Sequence, residues 1–355
     1  MPGAAIPRSM NDFAKRLIAW HRRYGRHDLP WQGTRDPYPV WLSEVMLQQT
    51  QVGTVIPYYR RFLARFPDVA GLARATLEEV LRVWAGLGYY SRARNLHQAA
   101  RTIVDEYGGR FPATRDTLEA LPGVGRSTAA AIAAIAFGAR EAILDGNVRR
   151  VLARHFSVGG FAGTRPVETK LWSLAESLVP ARGIETYTQA LMDLGATVCT
   201  RASPACGRCP VASSCVALAR GRVHVVPTPR PRRASPVRPV AMLVLLRDGK
   251  LLLEKRPPAG IWGGLWSFPE LSADGDVAAH CAARLGCEVD SPVALAPLRH
   301  GFTHFTLDIR PFRCDVRRVK ARAEQPGKAW FTLQQVENGA VPVPVKRLLR
   351  RLGGA

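Results

Sequence analysis

Residues 121–137 read LPGVGRSTAAAIAAIAF. Two glycines two positions apart, Gly123 and Gly125, permit a tight turn. The turn leaves free backbone N–H groups at the start of the alanine-rich helix expected over 126–137, and such a helix start holds phosphate without side chains. The small residues Ala129–Ala134 let a neighbouring helix approach closely. Taken alone, the stretch reads equally well as an ordinary αα-turn.

Outward from this turn the chain stays helical as far as residue 219. Ser9 with Asp12 resembles a capping box, and Phe13, Leu17, Trp20 and Tyr24 follow at helical spacing. The spacing predicts further helices over 38–49, 54–65, 76–85, 91–107, 114–121, 126–137, 147–154, 166–179 and 184–194. Residues 225–239 (VVPTPRPRRASPVRP) carry five prolines in fifteen residues and read as a semi-extended linker. Beyond it, Ala241–Arg247 and Lys250–Arg256 are apolar strands joined by Asp248-Gly249, a strong hairpin signal. Phe302–Val316 and Ala329–Thr332 read as strands, and Val277–Leu285 and Val345–Leu352 as helices. The expected division is a helical domain at 1–219, a linker at 220–239 and an α+β domain at 240–355, with no internal repeat.

Composition bounds the function. A chain of 355 residues suggests two or three domains, and 47% hydrophobic residues exclude wholesale disorder. Fifty Lys+Arg against 28 Asp+Glu give a net charge of +22, which points to a polyanion, nucleic acid before anionic membrane. The excess is +10 over 1–219, +6 over 220–239 and +6 over 240–355. Seven lysines against 43 arginines match a GC-rich coding bias, which explains the ratio and not the excess. No stretch approaches the roughly 18–20 apolar residues of a membrane span. The first ten residues have no apolar core followed by a cleavage site, so no signal peptide is expected. Seven cysteines, four of them within 199–215, point to a reducing intracellular setting and a thiolate metal site rather than a disulfide framework.

Three constellations carry chemistry. Cys199, Cys206, Cys209 and Cys215 have the spacing C-x6-C-x2-C-x5-C. Soft thiolates suit iron–sulfur or zinc, and structural zinc more often uses two separated C-x2-C pairs. Asp145, in the segment LDGNV at 144–148, precedes a predicted helix and reads as an N-cap when taken alone. Glu44 lies within the apolar segment WLSEVMLQQTQ at 41–51, near Trp41 and Gln48 on its helix. Buried, it would hold a proton near neutral pH; otherwise it is a solvated helical Glu. Gln48, Gln49 and Thr50 are uncharged hydrogen-bonding groups at a helix end, suited to entering a base stack.

Hairpin, Asp145 and cysteine run together resemble the helix-hairpin-helix base-excision glycosylases of the endonuclease III superfamily. Pro30-Trp31, WLSEVMLQQTQ at 41–51 and GLGYYSRARN at 86–95 narrow the resemblance to the MutY-type adenine DNA glycosylases. GIWGGLWSFP at 260–269 and HGFTHF at 300–305 resemble the MutT-like domain of that family. The resemblance spans residues 8–352. It implies a mostly α catalytic domain, a six-helix barrel with an iron–sulfur subdomain, followed by an α+β MutT/Nudix-like domain.

It also implies a function: base excision repair that hydrolyses the N-glycosidic bond of adenine mispaired with 8-oxoguanine or guanine in duplex DNA. The base is flipped out, protonated at N7, and leaves an oxocarbenium-like sugar. Glu44 is implied as general acid and Asp145 as the stabilising carboxylate, with Asn147 beside it and Trp31 and Gln189 lining the adenine pocket. Ser127 stands where a bifunctional lyase carries its Schiff-base lysine, so a monofunctional hydrolase is expected. Some family members have Tyr there, which alters the proton network. Gly123 and Gly125 are read as a phosphate-binding turn, Leu87 and Tyr89 lie on a glycine-flanked turn that can approach DNA closely, and by resemblance Gln49 and Tyr89 would probe around the lesion guanine and its strand. Phe302, Thr303 and His304 align with a lesion-reading Phe-Ser-His tip, with a methyl added at Thr303. Residues 277–287 (VAAHCAARLGC) hold no carboxylate for a pyrophosphatase Mg²⁺, so that domain is expected to recognise rather than hydrolyse. Cys199, Cys206, Cys209 and Cys215 would hold one [4Fe–4S] cluster, with Arg201 and Arg208 presented to phosphate. Cys281, Cys287 and Cys314 read as small buried residues. A cytoplasmic monomer on double-stranded DNA, with no membrane partner, is expected. An endonuclease III-like lyase for oxidised pyrimidines is the enzyme alternative, disfavoured by Ser127 and the extra domain. An iron–sulfur DNA-binding protein without chemistry is disfavoured by Glu44 and Asp145 together.

Overall fold

The computed structural model describes residues 10–229, 235–320 and 326–352. Ser9 of the expected capping box and part of the Pro/Arg-rich linker lie outside them. The chain forms two compact units, one of residues 1–74 and 95–232 and the other of residues 75–94 and 233–355.

The first unit is helical. Its elements are α1 (Met10–Tyr24), α2 (Pro37–Leu47), α3 (Val52–Arg65), α4 (Val69–Arg74), the later part of α6 (Tyr90–Tyr107), α7 (Arg115–Glu119), α8 (Arg126–Phe137), α9 (Gly146–His155), α10 (Arg165–Ser177), α11 (Ile184–Asp193) and α12 (Val216–Ala219). The alanines of α8 are why it lies at the centre: Ala129, Ala130, Ala133 and Ala134 are wholly buried, and short side chains let α2 and α11 pack directly on the helix. The glycine turn forms as expected. Gly123 has φ +78°, and a Cβ there would meet the Asn95 side chain at 2.7 Å, so both backbone and space require glycine. Gly125 is the N-cap of α8. The expected helix over 38–49 stops at Leu47, because Gln49 turns to φ +58°. The six-residue α4 carries too little periodicity to show in sequence.

The second unit is built on a mixed sheet. Its strands are β1 (Val237–Arg247), β2 (Lys250–Lys255), β3 (Trp266–Ser267), β4 (Glu270–Leu271), β5 (Cys287–Val289), β6 (Val293–Ala294), β7 (Leu298–Gly301), β8 (Thr306–Val319) and β9 (Lys328–Thr332). The spatial order β3-β2-β1-β8-β5 puts β1 parallel to β8 at the centre, flanked by antiparallel pairs. Asp248 and Gly249 both take positive φ and close the β1–β2 hairpin in the register Arg247↔Lys250. The strand expected over 302–316 begins only at Thr306, as β8, after a loop. β7 and β8 pair as a hairpin, Gly301↔Thr306, and residues 302–305 form its loop, closed by Phe302 N donating to Phe305 O. Cys281, Cys287 and Cys314 are fully buried in the core beneath α13 (Val277–His280) and the π turn that follows it. Helices α5 (Leu77–Trp84), α14 (Leu333–Glu337) and α15 (Val343–Leu352) complete this unit.

Candidate active site

A cavity of about 730 Å³ opens in the helical unit, and most of the proposed chemistry lines it: Trp31, Glu44, Gln48, Ser127, Asp145, Asn147 and Gln189. Glu44 comes from the middle of α2, whose other side chains Trp41, Leu42 and Met46 are wholly buried. This packing fixes the helix and turns Glu44 to the cavity. Burial pushes its pKa up to about 7, helped by the negative charge of Asp145. A carboxylic acid in that range keeps a substantial protonated fraction at neutral pH and can give that proton away.

Asp145 does two things at once. It is the N-cap of α9, with Oδ1 accepting from Val148 N at 2.8 Å. Its Oδ2 lies 3.4 Å from Asn147 Nδ2. Burial raises its pKa more than the Val148 bond, the Arg150 charge and Asn147 lower it. Arg150, which sequence reasoning passed over, holds the neighbour in place: Nη2 donates to Asn147 Oδ1 at 2.8 Å and Gly195 O at 2.7 Å, and Nε donates to Cys199 O at 2.7 Å. Gly195 sits in a π turn (Leu194–Val198), and a Cβ there would stand 2.5 Å from Asn147 Cβ, so only glycine lets this turn close on α9. Ser127 accepts from Leu144 N at 2.9 Å and thereby fixes the segment leading into Asp145. No lysine is among the residues lining this cavity.

The rim matches the expected DNA-facing positions unevenly. Gln49 is exposed on a non-glycine positive φ, the kind of strained turn that functional sites retain. Gln48 Nε2 is tied to Thr128 Oγ1 at 3.4 Å, and Thr50 turns inward to line the cavity. Trp31 is buried against Tyr59, ring centroids 5.3 Å apart.

The cysteine run folds as two single 3₁₀ turns, Cys206–Arg208 and Ala212–Ser214. Among the described residues no three His, Cys, Asp or Glu side chains are grouped for a single metal ion. Cys199, Cys206, Cys209 and Cys215 line one small cavity with Val198, Pro204, Leu218 and Val223. Arg154 Nη1 lies 3.4 Å from Cys199 Sγ. Four thiols facing an apolar space, with a cation beside one sulfur, suit a multinuclear iron–sulfur group rather than one bare ion. Arg201 and Arg208 are exposed on the same loop.

In the sheet unit a second cavity, about 370 Å³, is lined by Tyr89, Tyr90, Arg94, Trp262, His300, Phe302 and Thr303 among others. Tyr89 and Trp262 both have positive φ, and Tyr89 Oη stands 3.1 Å from Thr303 Oγ1. Phe302 stacks on Phe305 (4.6 Å, 19°) and meets His300 edge-on (4.7 Å, 84°), which stiffens the β7–β8 loop. Leu87 does not face outward: it is buried, and its backbone caps the turn after α5. Tyr90 is also buried, its hydroxyl accepting from Gly86 N. His304 is exposed and outside the cavity. Trp262 and His300 lie within the two segments whose resemblance was read above, but neither was singled out there.

Comparison with known proteins bears on both units. Residues 42–177 match the family model of the HhH-GPD superfamily base excision DNA repair proteins, and residues 240–351 match the NUDIX domain. The chain is 33% identical to the adenine DNA glycosylase of Buchnera aphidicola subsp. Baizongia pistaciae over 96% of each chain. It is 37% identical to the adenine DNA glycosylase of Homo sapiens, over 95% of this chain and 73% of that one. Among solved structures, a thermostable thymine-DNA glycosylase is similar at TM-score 0.55 and 31% identity, covering 59% of this chain and 97% of the other. An endonuclease III–DNA complex shares the fold at TM-score 0.50 and 22% identity, over 60% of this chain and 98% of that one. Among the described residues no helix is long and apolar enough to cross a membrane.

Proposed function

The chain belongs to the adenine DNA glycosylases, which hydrolyse the N-glycosyl bond of adenine in DNA, and from that premise we propose that it acts on adenine paired with 8-oxoguanine or guanine. The observation that carries the site assignment is that Glu44 and Asp145 line one cavity, where burial pushes the Glu44 pKa up to about 7.

The flipped adenine enters that cavity beside Trp31 and Gln189. Glu44 gives its proton to N7 as the C1′–N9 bond breaks, so adenine leaves neutral rather than as an anion. As a carboxylate, its charge supported by the Val148 cap bond, Asn147 and the Arg150 charge, Asp145 offsets the positive charge growing on the sugar. Water then adds to C1′ and yields a proton to the Glu44 carboxylate, which restores the acid. Ser127 and the absence of lysine from the cavity lining support a hydrolase without a Schiff-base step.

Cys199, Cys206, Cys209 and Cys215 are the residues that would hold a [4Fe–4S] cluster. When bound, the cluster supplies a rigid cross-link of the 199–215 loop, which presents Arg201 and Arg208 to the phosphate backbone. The turn at Gly123–Gly125 supplies backbone donors to phosphate. The rigid Phe302–Thr303 loop with Tyr89 reads the base opposite adenine, and residues 240–355 serve recognition only. Adenine is an undamaged base, so its partner must license the cut.

Single-turnover assays on duplexes carrying adenine opposite 8-oxoguanine, adenine opposite guanine, and an oxidised pyrimidine opposite guanine test this reading, each with and without alkali. Adenine release with strand breakage only after alkali is expected. Preferential cleavage of the pyrimidine strand without alkali would overturn it. A sulfur-to-iron charge-transfer band in the visible spectrum tests the cluster.

A further inference from the structure

One buried ion cluster lies behind the adenine cavity and is not used by the steps above. Asp193, the last residue of α11, is 0% exposed. Its carboxylate accepts from Arg26 three times: backbone N to Oδ2 at 2.8 Å, Nε to Oδ1 at 2.9 Å and Nη2 to Oδ1 at 2.5 Å. His21 Nε2 lies 3.2 Å from Oδ2. Burial pushes the Asp193 pKa up, but hydrogen bonds from His21 and Arg26 and the Arg26 charge outweigh it and hold the carboxyl below its usual range. The group is therefore an anion that only accepts.

One turn earlier on the same helix, Gln189 Nε2 lies 3.3 Å from Asp193 Oδ1. A carboxylate accepts from an amide N–H and repels an amide oxygen, so this contact settles which end of the Gln189 amide faces Asp193. The carbonyl Oε1 is left as the other end, and Gln189 lines the cavity together with Glu44 and Arg26. Oε1 has no partner of its own among the described residues.

The pairing code of a purine's outer edge gives this arrangement a meaning. Adenine presents an N7 acceptor beside an amino donor at C6, whereas guanine and hypoxanthine present N7 beside an oxo acceptor. A protonated Glu44 donates to N7, and an amide oxygen accepts from the C6 amino group. The same oxygen would face the oxo group of a 6-oxopurine acceptor to acceptor. We propose that Asp193 is the positioning residue that fixes the Gln189 amide with its oxygen toward the base, and so sets the preference for 6-amino over 6-oxo purines. Arg26 holds Asp193 in this role. The inference rests on the reading that the flipped adenine occupies the cavity beside Glu44.

The test compares single-turnover release of adenine, hypoxanthine and purine, the last lacking any C6 substituent, from the same duplex position opposite 8-oxoguanine. In Asp193→Asn the Gln189 amide is no longer held one way. The adenine-to-hypoxanthine ratio is expected to fall about tenfold, the worth of roughly one hydrogen bond, while purine slows far less than adenine. Gln189→Met should show a similar fall, and the double variant no further fall than the larger single one, because both changes act on the same contact. Equal slowing of all three bases, or additive losses in the double variant, would overturn the proposal. Should Asp193→Asn not fold, Arg26→Lys keeps the charge but loses the forked grip, and a smaller fall in the same ratio is expected; an unchanged ratio there overturns it. Failure of the unaltered protein to release adenine would sink the site reading itself. Release with an unmoved ratio in Asp193→Asn sinks only the positioning role.

Discussion

The cavity of the helical unit is built from charge, and the reading loop of the sheet unit from rings and hydroxyls. Around the first, Asp145, Asp193, Arg26 and Arg150 are tied to backbone or to one another, and Glu44 is desolvated beside the Asp145 charge. Around the second, Tyr89, Trp262, His300, Phe302 and Thr303 pack ring on ring with one hydroxyl pair at the rim. The difference fits the tasks proposed for them. Breaking a glycosidic bond needs groups whose protonation is set by their surroundings, and burial sets it. Reading a base needs stiff contact surface at low entropic cost, which aromatic side chains provide.

The contrast is most sharply tested at Glu44. Glu44→Gln keeps the shape and removes the transferable proton, so single-turnover adenine release should fall by about 10²–10⁴-fold. Asp145→Asn should lose activity on a similar scale while the protein melts nearly as before, because asparagine caps a helix as well as aspartate does. Parallel rate assays and thermal melts check both. If either variant kept its rate, the cavity would not be where the bond breaks.

The pH profile comes next. The proposed role needs Glu44 as the acid, and its pKa is pushed up to about 7, so the rate should hold below that value and fall as pH rises through it. The decline should approach about tenfold per pH unit on the alkaline side. A rate that kept rising above pH 8 would break the assignment. Reading-loop variants should leave this profile in place.

Smaller effects are expected at the loop. Thr303→Val removes the partner of the Tyr89 hydroxyl, and the preference for 8-oxoguanine over guanine opposite adenine should shrink by about three- to tenfold. Adenine release on a substrate that needs no lesion contact should stay close to normal. Gln49→Gly should relieve a positive φ worth about 1 kcal/mol and raise the melting temperature by about 2 °C, while weakening binding to mispaired duplex.

Sequence patterns and structure agree where the signal is local. The glycine turn at 121–125, the Asp248-Gly249 hairpin, the cysteine run and the apolar helix around Glu44 all declare themselves within a dozen residues. What stayed hidden depends on contacts far apart in the chain. Arg26 and Asp193 are 167 positions apart and meet only after α1 packs on α11. Arg150 reaches Cys199 across 49 positions. Trp262 adopts positive φ with nothing in its neighbours to predict it. The stretch 75–94 has a helical pattern that fits either unit, and its packing alone places it with the sheet. The loop at 302–305 was hidden differently: its strand-favouring residues continue into β8, but Phe302 and Phe305 stack on one another as rings and close the loop.

The cap at Asp145 has a consequence for which acid can stand there. Its Oδ1 is committed to Val148 N, and that contact requires an acceptor oxygen on a side chain with a single methylene, as aspartate or asparagine has. A glutamate has the same charge and would serve the sugar cation equally well on electrostatic grounds, yet its longer arm does not fit the cap. Side-chain length at 145 is thus dictated by how a helix begins. At Glu44, in mid-helix and with no cap to make, length answers to the proton transfer proposed for it. Two acids that a charge count treats as equivalent are held to their identities by unrelated rules.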